Sequence, residues 1–231
     1  MTNTETKNSK RINQRKILDK FITRPVNFLI KHKISPNLLS YLGFFCSLGA
    51  AFLISIGGLH FPIWYAWILP FLLFLSGAFD VFDGEVARRT GNDSKTGAFL
   101  DSFLDRISDI AIVLGLILSN LINYITGFIL AFLVVMISYV RARAEKEGID
   151  MKGIGLMERA ERIIILWFTF IAEFWVFHVS ILMIGKPFTL FFQIFIYVYM
   201  ILLLITVIQR ITFSVKILNK NNINLNNNKQ V

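Results

Sequence analysis

Long apolar runs decide what this chain can fold into. A segment of about 20 apolar residues is poorly accommodated in water and, when helical, matches the hydrocarbon thickness of a bilayer. Six such segments can be marked, roughly Asn37 to Ile56, Pro62 to Phe82, Gly97 to Asn120, Ile122 to Val140, Ile163 to Ile184 and Phe188 to Ser214. Gly57-Gly58, Asn120 and Gly185-Lys186-Pro187 supply breaks between them. A mean hydropathy of +0.61, with 55% hydrophobic residues over 231 positions, excludes an ordinary soluble domain. The expected fold is all-α and integral to the membrane. A six-span domain over 35–216 follows a basic, interfacial N-terminal segment over 1–34 and precedes a disordered polar tail over 217–231.

Orientation follows from lysine and arginine, which accumulate on cytoplasmic flanks. Nine precede Pro36, three lie between Gly84 and Thr96, six between Arg141 and Arg162, and four from Arg210 onward, whereas the opposite side shows only Lys186. A multi-pass cell-membrane protein with both termini in the cytoplasm is expected. Residues 1 to 16 are polar and basic, so no cleaved signal peptide is expected and the first span itself targets the chain. Between Ile17 and Lys33, apolar and basic residues mix around Pro25, which suits either a broken helix in the interface or a solvated basic arm. Cys46 is alone, which excludes an intrachain disulfide and a cysteine-based metal site, and His32, His60 and His178 are scattered. A nucleic-acid partner is not expected.

The stretch "DVFDGEVARRTGNDSKTGAFLDSFLDRISD", residues 80 to 109, is the anomaly in this apolar chain. A carboxylate near the hydrocarbon costs about 2.5 to 3.5 kcal/mol on insertion scales, so something must compensate Asp80, Asp83, Asp101, Asp105 and Asp109. Asp80 and Asp83 are spaced i, i+3, and Asp101, Asp105 and Asp109 are spaced i, i+4, i+8, so each set forms a helical stripe. No soft ligand accompanies them. The fitting counter-charge is a hard, oxygen-seeking cation, Mg²⁺ or Mn²⁺, and two such ions would form the clamp used in phosphoryl-group chemistry. Ion pairs with Arg88, Arg89 and Arg106 are the structural alternative. Gly84 and Gly97 permit close backbone approach to a ligand, Ala87 keeps its helical face low, and Arg88 offers a bidentate fork for phosphate.

These residues spell D-x2-D-G-x2-A-R-x8-G-x3-D-x3-D at Asp80, Asp83, Gly84, Ala87, Arg88, Gly97, Asp101 and Asp105, without departure in residue or spacing. The chain thereby resembles the CDP-alcohol phosphotransferase family. The resemblance implies a six-span fold and a homodimer, with two divalent metals held by Asp80, Asp83, Asp101 and Asp105. It implies Asp105 as general base, deprotonating an alcohol that attacks the lipid-side phosphorus of a CDP-lipid and expels CMP. "ISPNLLSYLG" looks like the family's entry to the first span, which would bring Pro36, Asn37 and Ser40 to the nucleotide; helix capping accounts for Asn37 and Ser40 almost equally well. Ser94 matches the hydroxyl position before the motif's second glycine and would approach the diphosphate. Asp109 lies outside the motif and is expected to orient a neighbour or to pair with Arg106.

"SYVRARAE" and "ERAER" resemble the phosphatidylinositol phosphate synthases of actinobacteria and the archaeal archaetidylinositol phosphate synthases. That resemblance implies inositol 1-phosphate as acceptor, its phosphate held at Arg141, Arg162 and Arg210. The bacterial enzymes carry lysine at the first of these, so Arg141 keeps the charge and changes the geometry. The donor is CDP-diacylglycerol or CDP-archaeol, between which apolar side chains do not choose. Glycerol 3-phosphate is the runner-up acceptor. A divalent-cation transporter would need polar groups along the whole crossing, and here they cluster at one face. Glu173, in the middle of a span, is expected to be protonated and hydrogen-bonded to a neighbouring helix or a dimer partner.

Overall fold

The computed structural model describes residues 22–228 apart from 93 and 189. Every regular element among them is helical: α1 over 22–31, α2 Pro36–Ser55, a 3-10 turn Gly58–His60, α3 Ile63–Ala66, α4 Ile68–Thr90, α5 Lys95–Leu118, α6 Tyr124–Lys146, α7 Arg159–Ile184 and α8 Leu190–Asn228. The breaks fall where the turn residues stand. Gly57, Asn120 and Gly185 adopt left-handed φ values of 79°, 57° and 72°, and the Gly185 N–H closes α7 on the Ile181 carbonyl.

Among the described residues four helices are long and apolar enough to cross a membrane, namely α2, α6, α7 and Leu190–Lys220 of α8. The other two long helices carry the acids: α4 holds Asp80 and Asp83, and α5 holds Asp101, Asp105 and Asp109. Apolar length alone therefore accounts for four of the six expected spans. The expected second span is also broken, because α3 stops at Ala66 and α4 starts at Ile68. Pro70 has no N–H to give the Ala66 carbonyl, so it sits in the first turn of α4, where none is required.

The chain divides into two compact units, one built from residues up to Cys46 with Leu75–Asp105, the other from Ser47–Phe74 with Arg106 onward. In the first, Val26, Leu39 and Val86 are buried together, with Ile22, Leu29, Phe79 and Phe82 packed around them. Arg89 ties α1 down further by donating to Asn27 Oδ1 at 3.2 Å and Thr23 Oγ1 at 3.4 Å. Residues 22–31 thus form a docked helix with Pro25 inside it, not a helix broken there or a solvated arm. The expectations for residues 1–21 lie outside the described residues.

In the second unit a core of apolar side chains from α2, α5, α6, α7 and α8 includes Ile54, Leu116, Leu130, Phe170, Phe192 and Leu203. Gly115 is required there, since a Cβ would lie 2.6 Å from the Ala51 carbonyl oxygen. Trp167 Nε1 donates to the Pro70 carbonyl at 2.8 Å. Glu173, 1% exposed, meets His60 Nε2 at 3.1 Å. Within the chain its partner is thus His60, at the end of the 3-10 turn after α2. Helix α8 runs on to Asn228, so the polar stretch expected to be disordered continues the last helix.

Candidate metal and nucleotide site

Within the first unit, α4 brings Asp80 and Asp83 to its C-terminal half and α5 brings Asp101 and Asp105 to its first turns. Carboxylate oxygens of Asp80, Asp101 and Asp105 all lie within 4.8 Å of one another. Such crowding of negative charge is unfavourable without a cation, and a donor set made only of carboxylate oxygens fits a hard divalent ion. The two stripes therefore converge, as their spacing suggested, and three of the four expected ligands form the triplet. Asp83, 6% exposed, accepts a 2.6 Å hydrogen bond from Ser40 Oγ and feels the charges of Asp101 and Asp80. Among the described groupings of possible ligands it is not in the triplet.

That bond gives Ser40 a partner that neither earlier reading named. Its hydroxyl also reaches the Pro36 carbonyl at 3.3 Å, while the start of α2 is capped by Ser35, whose Oγ accepts from Leu38 N at 3.3 Å. Neither Asn37 nor Ser40 is the cap. Ser94 Oγ accepts from Gly97 N at 2.9 Å, so this hydroxyl caps α5. Gly97 is there because a Cβ would stand 3.0 Å from Ser94 Oγ and 3.4 Å from Asn37 Oδ1.

A cavity of about 280 Å³ joins these pieces. Pro36, Asn37 and Ser40 of α2 form one wall, and Asp83, Gly84, Ala87 and Arg88 of α4 another. Ser94, Gly97 and Asp101 complete it with two residues that spacing did not single out, Asn92 and Ala98. Arg88 is 58% exposed and donates to Glu85 at 2.7 Å; Arg89 also pairs with Glu85 at 2.7 Å. Hydrogen bonds from Arg88 and then Arg89 hold the Glu85 carboxyl below the usual carboxylate range. Glu85 was missed in the sequence, although its i+3 and i+4 spacing to two arginines was legible.

The acceptor arginines belong to the second unit. Arg141 is half-exposed and donates to Glu145 at 2.8 Å. Arg162 is buried and donates from Nη2 to Asp109 Oδ2 at 2.9 Å, a long-range partner that spacing could not nominate. Arg210, 2% exposed, donates to the carbonyls of Ile154 at 3.0 Å and Ile137 at 2.8 Å. The charges of Arg141 and Arg162 both act on Arg210, so the three form one cluster, with Glu158 and Glu145 beside it.

An all-helical fold with membrane-length helices thus carries a carboxylate cluster beside a polar cavity. The chain belongs to the CDP-alcohol phosphatidyltransferase family, whose model matches residues 33–218. It is 37% identical over 135 residues to the archaetidylinositol phosphate synthase of Pyrococcus horikoshii, covering 58% of this chain and 68% of the relative. To the phosphatidylinositol phosphate synthase of Corynebacterium glutamicum it is 33% identical over 152 residues, covering 62% and 66%. The crystal structure of the Mycobacterium tuberculosis phosphatidylinositol phosphate synthase with CDP-DAG bound superposes with a TM-score of 0.66 at 27% identity, covering 84% of this chain and 94% of that one. The same enzyme with manganese and citrate gives a TM-score of 0.66, covering 84% and 88%.

Proposed function

We propose that this protein transfers a phosphatidyl or archaetidyl group from a CDP-lipid to a hydroxyl of inositol 1-phosphate and releases CMP. The observation that carries the reading is the Asp80, Asp101 and Asp105 triplet, its oxygens within 4.8 Å, with Asp101 also lining the cavity formed by the motif's Gly84, Arg88 and Gly97. Asp80, Asp83, Asp101 and Asp105 would together hold two divalent ions, Mg²⁺ or Mn²⁺. When bound, these ions supply Lewis-acid stabilisation of charge on the diphosphate oxygens. Manganese in a structure of the related mycobacterial enzyme supports the choice of ion.

Asp105 offers two carboxylate oxygens, so it can serve a metal with one and accept the alcohol's proton with the other. The new bond joins the acceptor oxygen to the lipid-side phosphorus. The bond that breaks joins that phosphorus to the bridging oxygen, which leaves with CMP. Pro36, Asn37, Gly84, Ala87, Arg88, Ser94 and Gly97 line the nucleotide and diphosphate subsite, and Ser40 acts there through Asp83. Arg141, Arg162 and Arg210 hold the acceptor phosphate, with support from the names of the archaeal and bacterial relatives. The active chain is a homodimer with six spans, with its termini and aspartates on the cytoplasmic side, as the lysine and arginine distribution indicates.

The test is CMP release by purified protein in detergent with CDP-diacylglycerol and Mn²⁺, comparing inositol 1-phosphate, glycerol 3-phosphate, serine and inositol. Release with inositol 1-phosphate alone, lost in Asp105→Asn, is expected. Release with glycerol 3-phosphate alone would overturn the acceptor, and release with none would overturn the reaction.

A further inference from the structure

Arg162 lies one turn inside α7 and is 4% exposed. A buried guanidinium needs a matched partner, because an uncompensated charge in such a place is strongly destabilising. Asp109 provides one, with side-chain exposures of 5% for the arginine and 12% for the aspartate. Yet Nη1 of the same guanidinium is buried without a hydrogen-bond partner. Arg210 shows how a buried guanidinium can be satisfied here, since its Nε and Nη1 both donate to backbone carbonyls.

A cavity of about 30 Å³ is lined by Arg162, Asp109, Tyr199 and apolar side chains such as Ile112 and Leu130. That volume admits a single water or one oxygen of a larger group. A charged donor left unmade in a buried place costs about 1–3 kcal/mol or more, so folding alone gives no reason to hold Arg162 in this way.

The geometry points to Asp109 as a positioning residue: by engaging Nη2 it fixes the guanidinium so that Nη1 stays available to an oxygen of the acceptor's phosphate. Asp109 follows Asp105 by four residues in the same helix. Arg141 and Arg210 add positive charge to the same cluster, so the anion meets more than one cation. This inference rests on the reading of Arg162 as an acceptor-phosphate ligand.

The experiment measures KM for inositol 1-phosphate, KM for CDP-diacylglycerol and kcat for the full-length protein with Mn²⁺, in wild type, Asp109→Asn, Asp109→Glu, Arg162→Ala and the Asp109→Ala/Arg162→Ala pair. Asp109→Asn is expected to raise the acceptor KM roughly ten- to a hundredfold, the range of one charge-assisted hydrogen bond, and to leave the CDP-lipid KM unchanged. Asp109→Glu, which keeps the charge but moves it by one methylene, is expected to fall between. The pair should show no higher acceptor KM than Arg162→Ala alone, because Asp109 acts through that arginine.

A lowered melting temperature with an unchanged acceptor KM in Asp109→Asn, or additive effects in the pair, would overturn the inference and leave the proposed reaction standing. Should Asp109→Asn fail to fold, the comparison of Asp109→Glu with wild type decides in the same way. If wild type uses only glycerol 3-phosphate, the choice of acceptor fails and the same comparison on that phosphate's KM decides the role of Asp109. Absence of release with either phosphate overturns both.

Discussion

Replacing Ser40 with alanine removes one hydroxyl that touches the metal site only through Asp83. Its Oγ stands 2.6 Å from Asp83 Oδ2, within the range of about 2.5–2.7 Å for a hydroxyl donating to a carboxylate. Asp83 is 6% exposed, so water cannot readily take the hydroxyl's place. A hydrogen bond to a charged group contributes about 1.5–3 kcal/mol, and loss of a group that orients a metal-binding carboxylate typically weakens metal affinity or activity about 10- to 100-fold. The half-saturating Mn²⁺ concentration for CMP release should therefore rise by roughly that factor in Ser40→Ala. Activity at saturating Mn²⁺ should fall much less, and Ser40→Thr, which keeps the hydroxyl, should recover most of the affinity. The measurement is a Mn²⁺ titration at fixed CDP-diacylglycerol and acceptor, with thermal unfolding as a check on the fold. An unchanged Mn²⁺ midpoint with a raised CDP-lipid KM would refute the reasoning and return Ser40 to direct nucleotide contact.

Two other substitutions test close approaches. Gly97→Leu places a side chain where even a Cβ meets Ser94 Oγ at 3.0 Å and Asn37 Oδ1 at 3.4 Å; CMP binding by calorimetry should be lost while the helical circular dichroism remains. Gly155 has φ +110°, and a Cβ there would lie 2.8 Å from Thr206 Cγ2 and 3.2 Å from Arg210 Nε. Gly155→Ala should cost about 1–3 kcal/mol of stability, read as a lower melting temperature, and an unshifted midpoint would contradict the strained geometry.

The membrane class was legible because apolar run length is a one-dimensional property, and the breaks at Gly57, Asn120 and Gly185 fell as read because left-handed φ values favour glycine and asparagine. Helix identity was harder where polarity and span coincide. The acids of α4 and α5 depress the apolar signal where the carboxylate site has to be built, so apolar length alone undersells those two helices, although both were marked as spans. The tail from Asn219 was misread because composition speaks to burial, whereas a helix already nucleated by the apolar part of α8 can propagate into polar residues at little further entropic cost.

By itself, then, the sequence determined the class of protein, the eight motif positions and the kind of ion they suit, since residue type and helical spacing carry that information along a single chain. Only the tertiary structure decided which groups meet across long separations. It gave Asp83 Ser40 as a partner across 43 residues. It paired Asp109 with Arg162 across 53 residues, placed Glu173 against His60 and committed Arg210 to backbone carbonyls. Such contacts depend on how helices pack around buried side chains, and a guanidinium or carboxylate can satisfy its charge with any of several partners until packing selects one.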